Sequence, residues 1–193
     1  PNLYMEEKLS GAFNLTELYQ GTVLHEGYPR NSVFFDQEHG KLLKETLGYQ
    51  DCQLSVYMPT FRGHTDDVEG DTYVEQVRRY LEVLDQGMQD NQILLLKLHP
   101  LVQKGLDLDS YHHIRPFPSE LDTYDVLNAC DVLITDYSSV MYDFANTGRK
   151  IILFAYDLED YMGHRGMYED IRSYPFPIVR TPEALLAELR NPG

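Results

Sequence analysis

The sequence predicts an α/β domain: a Rossmann-like parallel sheet with helices on both faces. Three observations predict it. Short, near-continuous apolar runs recur along the 193 residues, segments of helical periodicity separate them, and loops rich in hydroxyls and cations follow them.

The elements read in order as follows. Residues through about Leu24 mix polar and apolar side chains around Leu9, Phe13, Leu15, Leu18 and Tyr19, which predicts one or two helices or turns with a weak apolar stripe. Gly27-Tyr28-Pro29-Arg30-Asn31 punctuates the chain as a turn, and a short helix over 37–47 ends at Gly48. From Cys52 the rhythm changes. Strands are predicted over 54–58, 93–98, 111–114 (the weakest), 132–135, 151–154 and 178–179. A helix over 72–88 carries Tyr73, Val77, Tyr80, Leu81 and Leu84 on one face. Shorter helices fall over 124–130 and over 140–145, the latter capped by Gly148. The last, over 182–189, has proline in its first turn.

Bulk composition narrows the function classes. Apolar residues make up 42% of the chain, enough for a core and too many for general disorder. A formal charge of −15 argues against nucleic acid as a partner and against docking of this segment on an anionic membrane. A phosphate substrate would have to be held by local cations, because the overall field repels it. Cys52 and Cys130 show neither metal-ligand spacing nor a disulfide framework, which suits a reduced compartment. No apolar run approaches a membrane span, and no signal peptide is visible. The chain opens at Pro1 without a methionine, so an excised fragment is expected.

In parallel sheets, ligands bind outside the carboxyl ends of the strands, so the residues after each strand are the informative ones. Pro59-Thr60-Phe61-Arg62-Gly63 follows the first, Lys97 and His99-Pro100 the second, Arg115-Pro116-Phe117 the third and Asp136-Tyr137-Ser138-Ser139 the fourth. The Asp136–Ser139 turn runs into a helix whose first N–H groups and dipole suit a pyrophosphate, with the serine hydroxyls as added donors. One serine could equally be a cap. Asp136 reads as evenly a capping acid or a group that orients a hydroxyl or histidine. His99, held extended by Pro100, can move a proton or donate to a phosphate, and beside Lys97 that reading outweighs a plain strand-end hydrogen bond. Lys97 also fits an edge-strand lysine. Arg62 can grip phosphate oxygens in bidentate fashion or form a surface ion pair. Arg115, Arg149, Lys150 and Arg165 are weaker candidates of the same kind. His25, His39, His64 and His112-His113 show no metal-ligand pattern, and Asp66-Asp67-Glu69-Asp71 reads as a solvated helix start.

Together these motifs resemble the CDP-glycerol:poly(glycerophosphate) glycerophosphotransferase family. Gly27 to Asn31, Pro59 to Arg62, Lys97-Leu98-His99-Pro100 and Ile134-Thr135-Asp136-Tyr137-Ser138-Ser139 carry the likeness in order and spacing. Met141 to Phe144, Ile151 to Phe154, Asp157 to Tyr161 and Arg165 to Tyr168 continue it.

The resemblance implies the nucleotide-binding half of a GT-B fold. Residues 1–50 would be a junction from a preceding domain plus a lead-in helix. Residues 51–193 would bind a CDP-polyol, and the amino-terminal acceptor domain would lie outside the chain. It implies transfer of glycerol phosphate from CDP-glycerol (or ribitol phosphate from CDP-ribitol) to a hydroxyl of a polymer or lipid-linked acceptor in teichoic-acid-like synthesis, with CMP leaving. His99 and Asp136 would be catalytic; Arg62, Lys97, Tyr137, Ser138, Ser139 and Arg115 would hold substrate. No metal or other cofactor is implied. The enzyme would be cytoplasmic and peripheral at the inner face of a bacterial plasma membrane, with self-association left open. Two departures touch loop detail: Ser32 stands where the family often has Asp, and Pro175-Phe176-Pro177 where it has Pro-Gly-Pro.

Other readings are a GT-B sugar transferase or nucleotide-sugar epimerase, a nucleotide-binding module without turnover, and a phospho-receiver domain. The first would show two glutamates after the fourth strand, where this chain has Asp136 and Asp143. The receiver would need an acidic pair where this chain has Met58-Pro59-Thr60-Phe61-Arg62.

Overall fold

The computed structural model describes residues 3–22, 24, 26–62, 69–164 and 169–191. Among the described residues, six strands form one sheet: β1 Gln53–Tyr57, β2 Gln92–Leu96, β3 Ile114–Pro116, β4 Val132–Thr135, β5 Lys150–Phe154 and β6 Ile178–Val179. Their order is β3-β2-β1-β4-β5-β6, and every pair is parallel. The helices are α1 Leu3–Ala12, α2 Leu15–Leu18, α3 Gln37–Thr46, α4 Glu69–Gly87, α5 Pro100–Gln103, α6 Thr123–Ala129, α7 Val140–Phe144, α8 Leu158–His164 and α9 Pro182–Arg190. This is the doubly wound, Rossmann-like arrangement that the alternating apolar runs predict.

Strand residues alternate between two cores because successive side chains leave a strand on opposite faces. Tyr57, Leu94, Leu96, Val132, Ile134, Ile152 and Phe154 pack on one face beneath α4 and α9, against Val77, Leu81, Leu84, Leu185 and Leu189. Leu54, Val56, Leu95, Leu133, Ile151 and Leu153 pack on the other, against Val126 and Leu127 of α6 and Val140, Met141 and Phe144 of α7. Val56 on the central strand stands opposite Leu95 on one side and Leu133 on the other. Cys130 is buried and Cys52 half-buried, both as free thiols.

The predicted helix with Tyr73, Val77, Tyr80, Leu81 and Leu84 on one face is α4, with those residues turned to the first core. The third strand differs from its predicted place at 111–114. The amides of His112 and His113 donate to the Asp85 carboxylate of α4 at 3.0 and 2.7 Å, so they bond a side chain and not a neighbouring strand. Pairing with β2 begins only at the His113 carbonyl, which accepts from the Leu94 amide. The run over 93–98 ends as a strand at Leu96, because the chain turns into α5. The His99 carbonyl accepts the amides of Val102 and Gln103 there.

Helix α8, in the stretch after β5, is an element the apolar periodicity did not signal. Gly148, predicted as a cap, follows the 3-10 turn Ala145–Thr147 with φ 67, in the left-handed region where glycine costs least. At the amino-terminal end, Phe13, Leu18, Tyr19 and Leu24 are exposed. His25, Gly63, His64, Asp66, Asp67 and 165–168 lie outside the described residues. Among the described residues, no helix is long and apolar enough to cross a membrane.

The 3-10 helix Pro29–Phe35, α3 and α6 meet at Gly40 and Asn128. The Asn128 amide nitrogen donates to the carbonyls of Val33 and Asp36 at 2.9 and 2.7 Å. A Cβ on Gly40 would stand 2.5 Å from the Asn128 backbone oxygen, and no rotamer change removes a backbone atom. Gly40→Ala is therefore expected to cost about 1–3 kcal/mol, seen as a lower urea midpoint with an unchanged slope.

Candidate active site

The strand order reverses between β1 and β4. The chain first winds outward through β2 and β3, then returns to β4 on the other side of β1. Such a reversal opens a crevice beyond the carboxyl ends of the two strands, where their following loops diverge. Tyr57 pairs with Leu96 and with Ile134, and Thr135 with Leu153, so the ends of β1, β2, β4 and β5 share one edge. Residues 58–62, 97–99, 136–139 and 155–157 therefore converge there.

At the centre of that edge lies a buried charge network. Asp136 has no solvent exposure. Its carboxylate accepts the Thr60 amide at 2.9 and 3.1 Å, the Thr60 hydroxyl at 2.7 Å and the Tyr137 amide at 2.6 Å. It also meets the Arg62 guanidinium at 2.7 Å. Arg62 in turn donates to both Asp157 oxygens, at 2.6 and 2.9 Å, and to the Thr60 carbonyl at 2.6 Å. The Tyr137 hydroxyl donates to Asp157 at 2.9 Å, and its ring stacks on Tyr161 with centroids 3.7 Å apart. Tyr137, Tyr156 and Tyr161 present their rings to the guanidinium at 5.0, 5.5 and 5.6 Å.

The electrostatics follow from these contacts. Burial alone would raise the Asp157 carboxyl, but the Arg62 hydrogen bonds and charge, with the Tyr137 hydroxyl, hold it below the usual carboxylate range. Burial opposes the Arg62 charge, and Asp157 and Asp136 more than restore it. Burial and the Asp157 hydrogen bond push the Tyr137 phenol well up, so it stays a donor.

For two residues with expected roles, this arrangement shows partners within the chain. Arg62 was expected on substrate phosphate and Asp136 in catalysis. The structure engages them with each other and with Thr60 and Asp157, because a carboxylate cut off from water needs charged and hydrogen-bonding partners.

Around this network are more accessible polar groups. His99 is exposed at the end of β2, its ring stacked on Phe61 with centroids 4.1 Å apart and planes 27° apart. Ser139 is exposed and Ser138 half-buried at the start of α7. The Val140 amide donates to Ser138 Oγ at a long 3.4 Å, and the Ser139 hydroxyl makes no capping bond. Lys97 is half-buried with its ammonium 4.0 Å from the Phe117 ring centroid, and burial lowers its pKa against the pull of Asp122.

Arg115 is not brought to the crevice. It lies within β3, and its guanidinium reaches back to the carbonyls of Tyr111 and Ile114, towards the start of the strand. Arg149 binds the Cys130 carbonyl at 2.8 Å, and Lys150 binds the carbonyls of Glu188 and Asn191, both before or at the start of β5. Arg165 falls outside the described residues.

Thr60, Asp157 and Tyr161 fall within motifs that carry the family likeness, with no role expected of them individually. The pairing of Arg30 with Asp143 is likewise unexpected. Arg30 donates to both Asp143 oxygens at 3.2 Å and lies over the Tyr28 ring at 4.4 Å, while the Tyr124 hydroxyl donates to Asp143 at 2.9 Å. That pair fastens the Gly27–Asn31 turn onto α7. The partners stand 113 residues apart in sequence, and no spacing rule connects them.

Sheet order and crevice place the chain in the doubly wound α/β class, with its polar groups gathered at the point where the order reverses. More narrowly, it belongs to the CDP-Glycerol:Poly(glycerophosphate) glycerophosphotransferase family, whose pattern matches residues 1–192. It is 34% identical over 201 residues to a teichoic acid poly(glycerol phosphate) polymerase of Staphylococcus epidermidis, covering 99% of this chain and 27% of that protein. A teichoic acid glycerol-phosphate transferase of Staphylococcus aureus is 33% identical over 198 residues, with 99% and 50% covered. Among solved structures, the wall teichoic acid polymerase TagF superposes with a TM-score of 0.79 at 31% identity, over 99% of this chain and 47% of the other. A TagF variant soaked with CDPG gives 0.80 at 32%, with the same coverage. The chain thus spans half or less of the length of these relatives.

Two outcomes follow from the network. Asp136→Asn leaves Arg62 short of a buried counter-charge and is expected to lower stability by about 3–5 kcal/mol, read from urea unfolding. The folded pKa of Asp157 is depressed, so its contribution is present above the unfolded value of about 3.9 and is lost as pH falls through the lower folded value. Stability measured downward from about pH 4 should therefore fall less steeply in Asp157→Asn than in the parent.

Proposed function

We propose that this chain is the donor-binding half of a glycerophosphotransferase. In this reading it holds CDP-glycerol, or the related CDP-ribitol, while an acceptor hydroxyl supplied from elsewhere in the enzyme attacks the β-phosphorus. The new P–O bond forms as the bond to the CMP oxygen breaks; CMP leaves with the electron pair, and the hydroxyl proton passes to a base supplied, like the acceptor, from elsewhere in the enzyme. The acceptor is a growing teichoic-acid-like polymer or its lipid-linked primer, which puts the enzyme at the inner face of the plasma membrane as a peripheral protein.

One observation carries the reading, within a chain of this family: His99, Ser138 and Ser139 stand at the reversal-point edge, on the loops that flank the pinned 59–62 segment. The hydroxyls of Ser138 and Ser139 are donors for pyrophosphate oxygens. The His99 ring supplies a donor for charge developing on the phosphates as the P–O bond breaks. Lys97 adds local positive potential in a chain whose net charge of −15 otherwise repels the donor. Asp136, Arg62 and Tyr137 act in this reading by positioning the loops.

Calorimetric titration of the 193-residue chain with CDP-glycerol, CDP-ribitol and a UDP-sugar tests it. The CDP-polyols are expected to bind and the UDP-sugar to bind at least about tenfold more weakly, because a site built to hydrogen-bond one base and polyol leaves polar groups unpaired with another. Preference for the UDP-sugar overturns the assignment. Replacing both Ser138 and Ser139 by alanine should weaken CDP-glycerol by at least about tenfold, the worth of a hydrogen bond to a charged group. Unchanged affinity would remove the turn from the site.

A further inference from the structure

We propose that Phe61 is a positioning residue for His99, holding the imidazole against the β1 loop so that it meets the donor in one orientation. The proposal rests on the donor reading of the site and adds a residue to it.

Phe61 stands between two pinned neighbours. Thr60 is bound to Asp136 through its amide and its hydroxyl, at 2.9 and 2.7 Å, and through its carbonyl to Arg62. Arg62 is bound to both Asp136 and Asp157. The backbone on either side of Phe61 is thus fixed by a buried network, and the aromatic ring inherits that rigidity. The backbone of His99 is fixed independently. Its carbonyl accepts the Val102 and Gln103 amides at 2.9 and 3.1 Å, and Pro100 restricts it to extended conformations.

The imidazole is exposed, and its orientation is set by the side-chain torsions. Phe61 constrains them, with its ring 4.1 Å from the imidazole and nearly parallel to it. Ordering a side chain at the moment of binding costs affinity, and a side chain ordered beforehand does not incur that cost. Reaction rate is likewise sensitive to the orientation of the donating group. Phe61 also packs on the apolar cluster beneath α4, so volume and ring have to be separated experimentally.

Leucine keeps apolar bulk and removes the ring; tyrosine keeps the ring. Phe61→Leu is expected to weaken CDP-glycerol binding to the 193-residue chain by about threefold to tenfold, the worth of one aromatic pair, while Phe61→Tyr stays close to the parent. In a His99→Ala background, Phe61→Leu should cost nothing further, because its effect runs through the imidazole. An equal loss in both backgrounds makes Phe61 a packing residue and overturns the proposal.

Proton NMR of the imidazole gives a readout independent of the donor. Ring current from Phe61 should hold the His99 ring protons upfield, and Phe61→Leu should move them downfield with the fold intact. No movement overturns the stack itself. Unchanged affinity in His99→Ala overturns the donor reading at His99, and with it the role given to Phe61. A loss in His99→Ala with none in Phe61→Leu overturns the role of Phe61 alone.

Discussion

The arrangement of the crevice depends on one fully buried carboxylate. Asp136, at the carboxyl end of β4, is cut off from water. An isolated carboxylate there would lose several kcal/mol of hydration, so everything near it is arranged to replace that water. Thr60 and Arg62 arrive from the loop after β1, Tyr137 from its own turn, and Asp157 from beyond β5 balances the second face of the guanidinium. Three loops that the strands alone would leave independent become one rigid rim.

That rim divides labour among charges. Arg62 is bonded within the chain to two carboxylates and a carbonyl, and three tyrosine rings surround it. Towards solvent stand the His99 imidazole and the hydroxyls of Ser138 and Ser139, with the half-buried Lys97 ammonium on the β2 side. The same economy appears at Arg30 and Asp143, where another guanidinium–carboxylate pair fastens the Gly27–Asn31 turn to α7. The two pairs bracket the Asp136–Ser139 segment from both sides, and its position is set by neighbours distant in sequence.

Much of this was legible in the sequence, for identifiable reasons. Strands buried on both faces must be apolar at successive positions, so β2, β4 and β5 stand out as runs of Leu, Ile and Val. The 132–135 and 178–179 strands have the ends expected of them. The third strand slipped because its expected residues are captured by Asp85, a side chain on a helix, and no periodicity reports such a capture. Helix α8 was missed because seven residues with one buried leucine leave little amphipathic pattern. Arg115 was misplaced by the same slip: it was taken as a loop residue beyond the strand and belongs to the strand itself.

The sequence by itself determined the sheet, its alternating cores, the edge on which chemistry-bearing loops gather and the family to which they belong. Those properties are local, written in runs of side-chain type and in turns of a few residues. Tertiary structure alone decided which of the gathered residues face the crevice. Arg62 and Asp136 carry the same charges whether they meet a substrate or each other. Only the approach of β1, β4 and β5 brings Thr60 and Asp157 close enough to satisfy them internally and leaves His99, Ser138 and Ser139 on the outside.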